Sequence, residues 1–568
     1  MLKGIAVSKG IAIGKVFKYE QPTIKLKETQ GSSEEELAIF EEALHKTITD
    51  IERVKVKAAK SLSANQLVIF DAHLMLVKDP EYQKQITDLI KTGVNADLAI
   101  KTISEQLGNV FASMEDAYFK ERVSDVNDIC FHLMCNIAGQ EIPDLSEIDE
   151  EVIIVADDLA PSDTATLNTD YVLGFATNIG GPTSHSAIMA RTLEIPAIVG
   201  TNEVLNNVNH GDLIILDAID GEIIINPDVT TIEVYRAKKA AYLAFQEKLK
   251  TFINEPSVCK DGRLIDIGGN IGIPKDVEGV NEFGGDSVGL YRTEFLYMNS
   301  RDSFPSEENQ FIAYKEVLEA MKGKKVVVRT LDIGGDKELN YFEFPKELNP
   351  FLGYRAIRLC LDRQDIFRTQ LRALLRASSY GQLAIMFPMI ATIEEFKNAK
   401  AIFEEEKAKL ISEGVKVGEK IEVGMMVEIP SAALMADQFA KYCDFFSIGT
   451  NDLIQYTMAA DRTSPTVSYL YQPLNPALLK LIKMTTTAAH KLGKWCGICG
   501  EMANDPCVIP MLIGLGIDEI SISANGILNV RQIIKHLDSN ICKDLVEEAL
   551  MCETSTEVQN LIKNKLQK

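Results

Sequence analysis

The chain has 568 residues, 46% of them hydrophobic and 25% charged, which fits several globular domains rather than a disordered or fibrous chain. Lys plus Arg number 59 against 82 Asp plus Glu, so the net charge of −23 argues against a nucleic-acid partner and suits a basic protein partner. No apolar run is long enough to span a bilayer, and the first ten residues lack a signal peptide's apolar core. The ten cysteines show no framework spacing, so a reduced, cytoplasmic protein without membrane insertion is expected.

Residues 1–25 carry short apolar runs punctuated by glycine, such as Ile11-Ala12-Ile13-Gly14, and read as strands. Residues 26–144 change character. Ser33 and Glu36 form a capping box, and Leu37, Phe40, Leu44, Ile48 and Ile51 recur at helical spacing. Leu67, Phe70, Leu74 and Val77 predict a second helix ending at Asp79-Pro80. Leu98 to Met114 and Val126 to Ile137 predict a third and a fourth. His73 falls in the second, where a surface position without a role is expected over a docking contact; His45, His210, His490 and His536 have no supporting neighbours. Strand signals return at Val152–Val155, Val172–Phe175, Ala197–Val199 and Leu213–Leu216. The helices thus read as an insert in an α/β domain of residues 1–25 and 145–226.

Within that domain lies Gly180-Gly181-Pro182-Thr183-Ser184-His185-Ser186-Ala187-Ile188-Met189-Ala190-Arg191. Thr183 or Ser184 can cap a helix running on to Leu193. His185 then stands near a helix N-terminus, where unpaired N–H groups and the dipole favour an anion, and its neutral imidazole can attack phosphorus. On this local chemistry alone, a capped loop with an incidental histidine fits as well.

Residues 227–261 read as a linker built on a long polar helix. From 262 to 568 strand and helix alternate, with strands beginning near Leu264, Val288, Val326, Leu383, Val423, Asp444, Lys494 and Glu519. Eight such units fit a (β/α)8 TIM-type barrel, whose active site lies at the C-terminal ends of its strands. Asn270, Arg292, Arg329, Glu428, Asn451, Asp452 and Cys499 fall at those ends. Arg355, Arg358 and Arg462 add to an arginine set suited to phosphate and carboxylate oxygens. Glu428 and Asp452 follow apolar runs and suit Mg²⁺ completed by water and substrate oxygens; the alternative is neutralisation by the arginines. Cys496 and Cys499 form a Cys-x-x-Cys. A barrel strand end favours a neutral thiol at Cys499 that gives a proton to carbon over redox chemistry, with Cys496 packing.

The His185 segment, continuing through Pro196-Ala197-Ile198-Val199-Gly200, and the barrel motifs resemble the enzyme I family of the phosphoenolpyruvate:sugar phosphotransferase system over essentially the whole chain. The histidine signature is similar to that of pyruvate phosphate dikinase and phosphoenolpyruvate synthase as well. The resemblance implies an α/β phosphohistidine domain with a helical carrier-binding insert, and a barrel that binds phosphoenolpyruvate and dimerises. By residue, it implies that His185 is phosphorylated and that Thr164 orients its ring. It assigns Arg292, Arg329, Arg355, Asn451, Asp452 and Arg462 to phosphoenolpyruvate, Glu428 and Asp452 to Mg²⁺, and Cys499 to protonation of the enolate as pyruvate forms. The phosphoryl group would pass to a histidine of an HPr-like phosphocarrier after a swing about residues 227–261.

The chain departs from the family at Asn127, Cys130 to His132 and Pro182, where basic residues are common, which bears on the carrier rather than on His185. A dikinase or synthase needs a nucleotide-binding domain, for which no Gly-x-x-x-x-Gly-Lys-[Ser/Thr] is present. A nitrogen-linked paralogue would add a sensor domain, and a non-catalytic phosphoenolpyruvate sensor would not need Cys499.

Overall fold

The structure is a computed structural model. It describes every residue except 21, 23, 28–30, 59–63, 114–116, 141, 144, 146–147, 160–162, 165–166, 182–183, 299, 301–302, 336, 338, 340, 463 and 567–568. Within helices, the side chains of 57–58, 64–69, 113, 117–121, 124, 185, 192, 465, 501 and 566 are also left out. The chain divides into two compact units, Met1–Phe245 and Gln246–Lys568.

In the first unit an eight-stranded sheet has the order β1-β8-β7-β3-β4-β5-β6-β2. Its strands are β1 (Leu2–Lys3), β2 (Ile5–Ser8), β3 (Ile11–Tyr19), β4 (Val152–Ala156), β5 (Val172–Thr177), β6 (Ala197–Val199), β7 (Leu213–Asp217) and β8 (Glu222–Ile225). β3, β4, β5 and β6 run parallel, and every residue of β4 is buried because both faces of the sheet are covered. One face packs Ile154, Phe175 and Val199, the other Ile153, Val155, Ile198 and Leu216, following the two-residue alternation of strands.

Between β3 and β4 the chain makes five helices: α1 (Ser33–Ala58), α2 (Ala64–Val77), α3 (Pro80–Lys91), α4 (Ala96–Ser113) and α5 (Ala117–Ala138). Helix α3 is absent from the sequence reading, which took Asp79-Pro80 as a stop. Asp79 caps the next helix instead, accepting from the Glu81 and Tyr82 amides, with Pro80 in the first turn where its missing N–H costs nothing. His73 is not a surface residue: it is 3% exposed, with Nε2 3.4 Å from Asp125 Oδ1. Helix α5 packs against that side of α2 and sets Asp125 opposite His73. Met114 lies outside the described residues.

In the second unit β9 (Asp266–Ile271), β10 (Ser287–Arg292), β11 (Lys325–Arg329), β12 (Gln382–Phe387), β13 (Glu422–Val427), β14 (Phe445–Gly449), β15 (Trp495–Cys499) and β16 (Glu519–Ile522) close a parallel barrel. Strand alternation separates its two cores. Leu290, Val327, Met386, Met426, Phe445 and Cys499 fill the interior, while Val288, Val326, Ile385, Met425, Phe446 and Cys496 pack against the surrounding helices. At the N-terminal end Lys325 Nζ lies 2.9 Å from Glu519 Oε2 and 3.7 Å from the centre of the Trp495 ring. Among the described residues no helix is long and apolar enough to cross a membrane.

Candidate active site

At the other end of the barrel Arg292, Arg329 and Cys499 are the last residues of β10, β11 and β15, and Glu428 directly follows β13. Asn451 and Asp452 open the helix Thr450–Met458 after β14. Arg355 is not at a strand end; the loop after β11 carries it back, and it is 1% exposed. Arg358 turns away and donates to the Leu352 and Gly353 carbonyls, which braces that loop.

The arginines converge on carboxylates. Arg329 Nη2 lies 2.6 Å from Glu294 Oε1 and 3.1 Å from Asp332 Oδ2; Arg355 Nη2 lies 2.9 Å from Asp332 Oδ1 and 3.7 Å from Asp452 Oδ2. Arg462 Nη1 stands 3.5 Å from Asp452 Oδ1. Lys337 Nζ joins them, 2.8 Å from Glu294 and 3.2 Å from Asp332. Against the opposing effect of burial, Lys337, Arg355 and Arg329 hold the Asp332 carboxyl well below the usual carboxylate range. Tyr456 receives a hydrogen bond from Arg355 Nη1 at 3.3 Å and donates to the Phe351 carbonyl at 2.5 Å. Tyr471 donates to Asn451 Oδ1 at 2.9 Å.

Glu294, Asp332, Lys337 and Tyr456 join this cluster although sequence reasoning did not single them out. Asp332 and Lys337 lie in Leu331-Asp332-Ile333-Gly334-Gly335-Asp336-Lys337 just after β11, and charges among apolar residues beside a strand end were the available signal. Glu294 and Tyr456 lie on helices, where a polar residue is ordinary.

Several polar atoms here are buried without a hydrogen-bond partner: Arg329 Nε, Arg355 Nε, Asp452 Oδ1 and Thr450 Oγ1. Buried donors and acceptors left open at one place fit an anion together with a cation, since unsatisfied groups otherwise cost about 1–3 kcal/mol each. Glu428 Oε1 accepts from the Met389 amide at 2.5 Å. Burial, with Asp452 and Asp332 nearby, pushes its carboxyl up to about 8. Two buried carboxylates whose mutual repulsion a divalent cation would relieve fit a hard metal ion completed by other oxygens. Among the described residues no group of three or more His, Cys, Asp or Glu side chains is arranged for a metal, so Glu428 and Asp452 would need such added ligands.

The Cys499 thiol points into the barrel and Cys496 away from it, which rules out a Cys-x-x-Cys redox pair within this fold; all ten cysteines are free. Burial pushes the Cys499 thiol up to about 11, so it is protonated near neutrality. A cavity of about 590 Å³ is lined by Asn270, Arg292, Gly500, Asn504 and Ser523 among others; it reaches the residue after Cys499 but not Cys499 itself.

In the first unit His185 is the first residue of the helix His185–Leu193. Ser184 is its N-cap, its side chain accepting from the Ala187 amide at 3.3 Å. The His185 side chain, Pro182 and Thr183 lie outside the described residues. Thr164 is buried on a short helical turn beside Asp163, which accepts from the Tyr19 hydroxyl at 3.0 Å. Asn127 is exposed on α5.

Three family models match in succession: the N-terminal domain of PEP-utilising enzymes over residues 3–122, their mobile domain over 148–221, and their PEP-binding domain over 246–539. Fold, site and these matches together define the class as PEP-utilising enzymes. The phosphoenolpyruvate-protein phosphotransferase of Bacillus subtilis (strain 168) is 55% identical over 99% of this chain and 99% of its own. That of Staphylococcus carnosus (strain TM300) is 53% identical over 99% of this chain and 98% of its own. The solution structure of an Enzyme I protein (nEIt) is 47% identical and covers 43% of this chain and 99% of that one, with a TM-score of 0.40. The chain belongs to the phosphoenolpyruvate-protein phosphotransferase family.

Proposed function

We propose that the protein takes the phosphoryl group of phosphoenolpyruvate onto His185, releases pyruvate, and passes the group to a histidine of an HPr-like phosphocarrier as the first step of the sugar phosphotransferase system. The observation that carries this reading is the meeting of Arg329, Arg355, Arg462 and Lys337 with Glu428, Asp452 and Cys499 at one barrel end. Binding alone would not need a protonated thiol beside the anion-binding groups.

Arg292, Arg329, Arg355, Arg462 and Asn451 bind the phosphate and carboxylate of phosphoenolpyruvate, and Asp332 and Glu294 hold Arg329 and Arg355 in place. Glu428 and Asp452 hold Mg²⁺, with Asp452 facing substrate as well. When bound, the ion neutralises charge on the transferring group. The neutral His185 imidazole attacks phosphorus in line: the N–P bond forms as the bond to the enol oxygen breaks, and the arginines stabilise the developing charge. Thr164 orients the ring. Cys499 then gives its proton to the enolate carbon, and the electron pair left on sulfur is neutralised later by solvent.

The barrel serves phosphoryl capture and dimerisation, the helical insert (residues 26–144) docks the carrier, and the α/β domain (1–25 and 145–226) swings between barrel and carrier about residues 227–261. The protein acts in the cytoplasm. The net charge of −23 supports a basic carrier face, and Asn127 makes that contact differ from those with a basic residue there. The test is to phosphorylate the protein with labelled phosphoenolpyruvate and Mg²⁺, remove both, and add an HPr-type carrier. Label should move to the carrier; label that stays on the protein would contradict the carrier half of the reading.

A further inference from the structure

Inside the barrel Cys499 packs with Leu290, Met386, Met426 and Phe445, while the charged groups nearest it, Arg292, Arg329 and Glu428, sit at the strand ends. Phe445, Ser447 and Gly449 of β14 point inward by alternation, and Phe445 joins Leu290, Met386 and Met426 in the inner cluster. Ser447 stands among them fully buried. A hydroxyl in such surroundings costs stability unless it is hydrogen-bonded, and alanine would fill the place without that cost. Its hydrogen bond goes to one atom of functional interest: Ser447 Oγ donates to Cys499 Sγ at 3.5 Å. The thiol in turn faces the Ile448 carbonyl at 3.7 Å. β14 and β15 are adjacent parallel strands that place Gly449 opposite Cys499, so the pair is fixed by the sheet rather than by loops.

We propose that Ser447 is a positioning residue for carbon protonation, holding the Cys499 sulfur in place and receiving the charge left on it. The inference rests on the reading of Cys499 as proton donor. During donation the S–H bond breaks, its proton forms the new C–H bond of pyruvate with the enolate electron pair, and the sulfur keeps both electrons. The contact with Ile448 involves the thiol proton and is lost at that moment. The Ser447 hydrogen bond survives and strengthens, because a hydroxyl donates better to a thiolate than to a thiol. Arg329 and Arg292 favour the thiolate from the side and Glu428 opposes it; among these neighbours Ser447 alone is neutral.

The experiment compares the native protein with Ser447→Ala, Ser447→Thr and Cys499→Ala. Three readouts are taken: the pyruvate burst with Mg²⁺ and phosphoenolpyruvate, phosphoenolpyruvate affinity by calorimetry, and the rate of iodoacetamide alkylation at Cys499 by mass spectrometry at fixed alkaline pH. Ser447→Ala should slow the burst about tenfold with affinity unchanged. It should also slow alkylation about threefold, since a lower thiolate fraction is half offset by greater nucleophilicity. Ser447→Thr, which keeps the hydroxyl, should stay near native. A merely structural role predicts the opposite sign, because a loosened barrel exposes the thiol and alkylation accelerates. Unchanged or faster alkylation in Ser447→Ala would overturn the proposal while leaving Cys499 as donor. Equal bursts from native protein and Cys499→Ala would remove the donor itself, and this proposal with it.

Discussion

Arg355 Nη2 lies 3.7 Å from Asp452 Oδ2, so a guanidinium assigned to substrate and a carboxylate assigned to metal share one contact. The proposed anion and cation subsites are therefore one electrostatic unit, and a change on either side is felt by the other. Asp332 completes the unit by holding Arg355 at 2.9 Å and Arg329 at 3.1 Å.

Asp332→Asn should raise the KM for phosphoenolpyruvate and destabilise the protein by about 3–5 kcal/mol, because it leaves two buried guanidinium groups short of a counter-charge. The folded-state carboxyl is held below its ordinary 3.8, so its contribution is present above that value and fades as pH falls through the folded-state value. Acid unfolding of native protein and variant should converge at low pH. Chemical denaturation over a pH series, with steady-state kinetics, checks both effects.

Arg355→Lys should weaken phosphoenolpyruvate binding by at least about tenfold. A lysine cannot keep Asp332, the Tyr456 hydroxyl and a substrate oxygen in one planar fork. Calorimetric titration with phosphoenolpyruvate measures it, and retention of native affinity would show that Arg355 does not touch substrate.

Glu428 makes the metal-free protein pH-sensitive in a defined direction. Its carboxyl is raised from 4.5 to about 8, so between these values the unfolded chain has lost a proton that the folded protein keeps. Stability of the metal-free protein should fall as pH rises through that window and level off above it. Added Mg²⁺ should raise Tm most at the alkaline end, and Glu428→Gln should make the slope shallower, leaving the part due to the buried Asp128 and Glu519 carboxyls, and abolish the Mg²⁺ response. Melting curves of native protein and variant over a pH series, with and without the ion, test this by their difference.

The floor of the barrel offers a test independent of catalysis. Lys325→Met should cost about 3–5 kcal/mol by leaving Glu519 buried without its cation, and Lys325→Met with Glu519→Leu should recover much of it. Trp495, the only tryptophan, lies against Lys325 and reports the unfolding by fluorescence in urea.

The barrel was legible because parallel strands buried on both faces become short apolar runs, and a polar residue ending each run, such as Arg329 or Cys499, stands out. The order of the mixed sheet was not, because pairings such as β1 with β8 and β2 with β6 join segments far apart in sequence, which local pattern does not encode. Residues that act through another residue were also hidden. Glu294 meets Arg329 across the adjacent strands β10 and β11, and Tyr456 meets Arg355 only once the loop after β11 folds back. His73 shows the same limit: helical periodicity gave its helix, but the packing of α5 against α2 decided that it faces inward.

The most direct test of the central claim mixes the protein with Mg²⁺ and phosphorus-labelled phosphoenolpyruvate without ATP and maps any acid-labile, alkali-stable label. Label on His185 that disappears in His185→Ala is the predicted result. Phosphoenolpyruvate that binds but leaves no label would contradict the phosphotransferase reading and make the barrel a sensor of its ligand.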